Sequence, residues 1–247
     1  MSMDLSWIDG PQSLGEVAAE HVAAVLDARP GPVIALPTGA TPRGLYERLA
    51  RRRRAGALAG DHARYFNLDE FVGLSASDPR SYAAFLRKHF LGPMEVADGR
   101  VRLLSGDAPD LEAECRAYDA ALDSAGGLDL AILGLGANGH IAFNEPGTDW
   151  SKRTHIVTLA EPTRRAQHLL FASEKEVPRQ GITMGVATIR AARAVLLLVI
   201  GEGKAAALAA LRAGRPDPAW PVTALLGHPR LTVLADQRLA GRPASPA

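Results

Sequence analysis

Apolar positions along this chain follow two rhythms. Short uninterrupted runs at 32–36, 128–133, 194–200 and 231–235 have the pattern of strands covered on both faces of a parallel sheet. Residues 64–68 predict a further strand, 101–104 a short one and 155–159 an extended stretch. Between them lie helix-spaced stripes. Leu14, Val17, Val22, Val25 and Leu26 recur at helical spacing after the capping-box pair Ser13 and Glu16, and Pro30-Gly31 ends that segment. Thr41 as cap and Pro42 as first residue predict a helix through Arg53, and Asp78-Pro79 opens another to Phe90. Further helices are expected over 109–124, 162–171, from a Thr183 cap to about Ala192, over 205–212 and, briefly, over 221–226. Strands alternating with helices predict an α/β fold, a doubly wound, mainly parallel Rossmann-like sheet with helices on both faces.

Length supports one domain over 1–247, enough chain to bury roughly 70–75% of its unfolded surface. No internal repeat or low-complexity linker interrupts it, and the tail GRPASPA is expected to fray. A hydrophobic content of 47%, a charged content of 22% and a net charge of +1 describe an ordinary globule without the basic footprint of a nucleic-acid binder. The run Arg51 to Arg54 reads as the solvated end of a helix, where cations favour the dipole. A lone cysteine, Cys115, excludes an intrachain disulfide and a cysteine-cluster metal site. The longest apolar run, 194–200, is too short to span a bilayer, and the N-terminus lacks a signal-peptide pattern. The expectation is therefore a cytoplasmic protein without membrane contact.

The chemistry concentrates in 128–147, LDLAILGLGANGHIAFNEPG, which passes from buried strand to glycine turn to polar cluster. Gly134, Gly136 and Gly139 match a dinucleotide-binding fingerprint, with Glu161 placed as a ribose-binding carboxylate. That fingerprint needs a helix directly after its last glycine, and Pro146-Gly147 interrupts the chain too soon. The second reading pairs His140 with Glu145 as acid and base on a loop, the carboxylate holding one imidazole tautomer; a structural loop with a satisfied histidine is the third. Three other stretches end predicted strands. The loop Thr38-Gly39-Ala40-Thr41 leads into a helix N-terminus and suits a phosphate, or is an ordinary strand-to-helix turn. Asp69 within FNLDEFVG is a base or a loop cap, and Lys204 in GEGK contacts an anion or is solvated.

Taken together, LPTGATP (36–42), FNLDEFVG (66–73), LGLGANGHIAFNEPG (133–147) and VIGEGKA (199–205) resemble the glucosamine-6-phosphate deaminase family over nearly the whole chain. Related 6-phosphogluconolactonases share the glycine turn and histidine, but their motif does not continue as IAFNEPG. The resemblance implies ring opening of a hexosamine 6-phosphate, aldose-to-ketose isomerisation and release of ammonia, with no cofactor and no metal. It assigns Asp69 the proton transfer between C2 and C1, and His140 with Glu145 the ring opening. Asn138 stands where members carry Asp or Asn, so the resemblance has a neutral amide orienting His140 on that side, and Thr38, Gly39, Ala40, Thr41 and Lys204 match phosphate contacts. One departure concerns Leu169, where members carry a phosphate-binding arginine; Arg164, Arg165 or His168 are the local substitutes, and galactosamine 6-phosphate is an alternative substrate. Longer, hexameric members bind an N-acetylglucosamine 6-phosphate effector through basic side chains after the NEP motif and a C-terminal extension. Here His155 and Val157 replace two of those cations and the extension is missing, so a monomer or small homo-oligomer without that activation is expected.

Overall fold

The computed structural model describes residues 3–60, 62–167 and 170–241. In chain order the elements are β1 (Asp4–Ile8), α1 (Gly10–Ala28), β2 (Val33–Leu36), α2 (Arg43–Arg54), β3 (Arg64–Asn67), β4 (Asp69–Phe71) and α3 (Tyr82–Leu86). There follow β5 (Val101–Arg102), α4 (Leu111–Ser124), β6 (Leu130–Gly134), β7 (His155–Thr158), α5 (Glu161–Ala166) and β8 (Gln180–Thr183). The chain closes with α6 (Val186–Arg190), β9 (Ala194–Val199), α7 (Ala205–Arg212) and β10 (Leu231–Asp236). Seven strands form one parallel sheet in the order β1-β10-β9-β6-β2-β3-β5, and β4-β8-β7 form a small antiparallel sheet.

The two-residue period of a strand explains the layering. Val33, Ala35, Ala131, Leu133, Val195 and Leu197 face one core with Tyr118 of α4, Ile189 of α6 and Leu208 of α7. Their neighbours Ile34, Leu36, Leu130, Ile132, Leu196 and Leu198 face the other, against Leu14 and Val22 of α1 and Leu45 and Leu49 of α2. Helices thus cover both faces, as the uninterrupted apolar runs require. A third, smaller core under the antiparallel sheet joins Phe71, Tyr82, Phe143 and Phe171. Among the described residues no helix is long and apolar enough to cross a membrane.

Several boundaries differ from the sequence expectation. The Ser13–Glu16 box lies inside α1, which starts at Gly10 with a proline in its first turn; the fixed φ of Pro11 sets the start without a side-chain cap. Thr41 does not cap α2, whose first residue is Arg43 and whose N-terminus carries no side-chain hydrogen bond. Thr183 ends β8 rather than opening a helix, and its hydroxyl accepts the Phe143 N–H at 3.1 Å. The helix expected from Asp78 begins at Tyr82, and the one expected over 162–171 is the shorter α5; His168 and Leu169 lie outside the described residues. Strands β1, β4 and β8 were not expected.

Candidate active site

Strand order locates the site before any side chain does. From β2 the sheet grows through β3 to β5 on one side and from β6 through β9, β10 and β1 on the other, so the topology reverses between β2 and β6. Open α/β sheets leave a crevice at the carboxyl ends of such strands. Here it is a cavity of about 220 Å³ lined by the loops after β2, β3, β6 and β9. Thr38, Gly39, Ala40, Thr41, Asp69, Asn138, His140 and Lys204 all line it. Glu145 does not; it lies buried behind Asn138. Tyr82, Thr163 and Gln167 line the cavity too and were not singled out from sequence.

The loop after β6 is built around one imidazole. A Cβ on Gly136 would stand 2.4 Å from the His140 ring, so only glycine lets the ring fold back over this turn. Gly139 has φ +82°, and a Cβ there would also press on Trp220. Asn144, fully buried, donates to the carbonyls of Ile141 and Met184 at 2.9 Å each and ties the loop to the end of β8.

His140, Asn138 and Glu145 form a chain whose polarity can be read from its end. The Glu145 carboxylate only accepts, so the Asn138 amide nitrogen donates to Oε2 at 2.8 Å and its oxygen must face His140. Nδ1 of His140 lies 2.7 Å from that oxygen and therefore carries the proton, leaving Nε2 as the base. Glu145 Oε2 stands 3.7 Å from Nδ1, beyond hydrogen-bond range. The direct His140–Glu145 bond expected from sequence is thus replaced by an amide bridge. The Thr163 hydroxyl, 3.2 Å from Nδ1, flanks the ring, and the Ala160 N–H steadies Glu145 Oε1 at 3.1 Å. Burial pulls the His140 pKa below the usual imidazole value; the Glu145 charge opposes this and Lys204 adds to it. The imidazole is consequently neutral near pH 7.

Asp69 opens β4 directly after the β3 end. Burial, and then the charge of Glu70, push its pKa well above the ordinary carboxylate value. Its neighbour Glu70 points the other way along β4 and accepts the N–H groups of Phe71, Tyr82 and Ala83 at 2.9, 3.0 and 2.8 Å. Those bonds fix the first turn of α3, which carries Tyr82 into the cavity with Thr38. Lys204 precedes α7, and burial lowers its pKa. Arg164 donates to the Glu174 carbonyl and Arg165 pairs with Glu161 and Glu174, so neither guanidinium lines the cavity. Lys204 is the one cation lining it among the described residues.

A buried carboxylate, a neutral imidazole and an ammonium beside free loop amides suit proton shuffling on a small anionic substrate. A family model for glucosamine-6-phosphate isomerases/6-phosphogluconolactonase matches residues 10–233. A glucosamine-6-phosphate deaminase of Bacillus velezensis is 41% identical over 230 residues, covering 93% of this chain and 95% of its own. Glucosamine-6-phosphate deaminase 1 of Bacillus subtilis is 41% identical with the same coverage of each chain. Among solved structures, a monomeric glucosamine-6-phosphate deaminase superposes with a TM-score of 0.94 at 39% identity, covering 96% of this chain and 99% of its own. A 6-phosphogluconolactonase from Trypanosoma brucei, 24% identical, shares the fold at a TM-score of 0.72, covering 97% of this chain and 98% of its own.

Proposed function

Because the chain belongs to the glucosamine-6-phosphate isomerase/6-phosphogluconolactonase family, we infer that it converts glucosamine 6-phosphate to fructose 6-phosphate and ammonia. The observation that carries the reading is one cavity faced at once by a buried carboxylate, Asp69, and by the neutral His140 of the amide-bridged chain. Deamination with isomerisation needs both groups, since one proton moves on oxygen and another on carbon.

The phosphate binds between the 38–41 loop and Lys204, where amide N–H groups and an ammonium act together. His140 Nε2 takes the anomeric hydroxyl proton and delivers it to the ring oxygen as the bond from that oxygen to C1 breaks, giving the open aldehyde. Asp69, ionised, removes the C2 proton; electrons shift to make the C1–C2 double bond, and O1 takes up the proton that the substrate's ammonium group gives up, leaving the enol amine with the C2 proton held on Asp69. Return of a proton to C1 yields the 2-imino sugar, and water adds at C2 and expels ammonia, leaving the 2-ketose. The amide bridge lets the imidazole gain and lose a proton with Glu145 as a distant counter-charge. Its carbonyl keeps Nδ1–H oriented throughout.

The substrate is a hexosamine 6-phosphate, and the enzyme works as a monomer or small homo-oligomer in the cytoplasm. The test is ammonia release and fructose 6-phosphate formation from glucosamine 6-phosphate, with galactosamine 6-phosphate and 6-phosphogluconolactone assayed alongside. Turnover of the glucosamine compound to both products is expected. Lactone hydrolysis without ammonia release would overturn the reading.

A further inference from the structure

The parallel sheet has a second end. At its amino edge, α1 and the starts of β6, β9 and β10 enclose a cavity of about 370 Å³, larger than the one at the carboxyl edge. The two openings are separated by β6, five residues or about 16 Å of strand. On the α1 side the amino-edge cavity is lined by Ala24, Val25 and Ala28 beside His21, on the strand side by Ala194 and Thr232, and its rim carries Arg29, Arg193 and Arg230. At its base the buried Asp129 accepts the Val33 N–H at 2.9 Å and a guanidinium N–H of Arg29 at 2.5 Å, while Nε of Arg193 lies at 3.2 Å.

One carboxylate cannot account for three guanidiniums. Asp129 is neutralised by Arg29, which also sits at the carboxyl end of α1 and meets its dipole. Arg193 spends only Nε on Asp129, its side chain is 63% exposed, and no ion pair among the described residues involves Arg230. The rim therefore holds surplus positive charge in a planar, multi-donor form that matches phosphate oxygens. The volume falls in the range of small-molecule pockets, and small apolar side chains of α1 with His21 and Thr232 beside a cationic rim suit a ligand with a flat, partly polar body and a dianionic head. We propose that this amino-edge cavity is a second binding site, for a small organic phosphate of the nucleoside monophosphate class. Asp129 holds Arg29 and Arg193 in place, and Arg230 closes on the phosphate.

Titrating the isotope-labelled protein with adenosine 5′-monophosphate, adenosine and inorganic phosphate, followed by amide shifts, separates the two ends of the sheet. The expected result is a set of saturable shifts at Ala24, Val25, Ala28 and Ala194 with the monophosphate, distinct from any at Gly39 and Gly136. Adenosine and inorganic phosphate should each bind at least about tenfold more weakly, and Arg230→Ala, an exposed position, should weaken the monophosphate about tenfold, the scale of one charge-assisted contact. Shifts confined to Gly39 and Gly136, equal binding of inorganic phosphate, or unchanged affinity in both Arg230→Ala and Arg230→Glu would each overturn the proposal.

Discussion

Asp69 combines burial with the adjacent charge of Glu70, and both favour its neutral form. A base in that position is made at a cost and works only once ionised, so kcat/KM should fall on the acid side with an apparent pKa well above the ordinary carboxylate range. Asp69→Asn should keep the fold, lower kcat by roughly 10²–10⁴ and leave KM little changed, the usual range for a positioned acid or base. A near-normal kcat in that variant would remove Asp69 from the chemistry. Lys204 carries the complementary part of the proposed reaction, holding the phosphate. As the one cation lining the cavity among the described residues, its loss in Lys204→Ala should raise KM by an amount worth about 1.5–3 kcal/mol while kcat changes less. Inorganic phosphate should lose inhibitory strength in parallel, and unaltered phosphate inhibition would make Lys204 a bystander. Most of these residues were legible because each terminates a strand in a glycine- or carboxylate-bearing loop. What sequence did not reveal is the route from His140 to Glu145. The orienting amide of Asn138 against His140 was expected; five residues apart, His140 and Glu145 look like a direct pair, and only the folded loop shows the same amide reaching on to Glu145.

At the scale of elements, the long buried strands and α1, α2, α4 and α7 could be read from periodicity, because each has an uninterrupted run or a clear stripe facing one core. The short antiparallel sheet could not. Its strands β4 and β8 mix polar and apolar residues, and they are held by pairing with each other and by the aromatic cluster rather than by their own propensity. The same dependence governs α3, five residues long and too short to stand alone. Ser81 accepts the Ala84 N–H, and Glu70 accepts those of Tyr82 and Ala83, so side chains satisfy the buried first turn, whose N–H groups have no partner within the helix. Glu70→Ala should therefore cost about 2–4 kcal/mol in urea denaturation, since buried N–H groups lose their partner. Burial raises the Glu70 pKa from 4.5 to about 7 against the pull of those N–H bonds. A raised folded-state pKa gives stability that is complete below about 4.5 and lost as pH rises through about 7. The gap between wild type and variant should accordingly narrow from pH 5 to pH 8. A constant gap would mean that Glu70 is ionised across that range.

For the whole molecule, the question is whether a second site talks to the first through an acetylated sugar phosphate. The segment that would receive that effector leads into β7, an edge strand of the antiparallel sheet. His155 there is kept below its usual pKa by burial, the bond from its ring to the Arg153 carbonyl opposing this, and it is uncharged near neutrality. Val157 packs on the aromatic cluster instead of reaching outward. Arg153, two residues before His155, is committed to Asp119 and Asp123 on α4. A phosphate would find too little fixed positive charge to bind one conformation in preference to another, and without differential binding there is no coupling whatever the number of subunits. Substrate curves should be hyperbolic, with a Hill coefficient near one, and unmoved by N-acetylglucosamine 6-phosphate up to concentrations that begin to compete at the catalytic cavity. The effector can then act only as a weak competitive inhibitor, raising the apparent KM and leaving kcat alone. A sigmoidal curve that turns hyperbolic on adding the acetylated sugar phosphate would place a working effector site on this edge despite His155 and Val157.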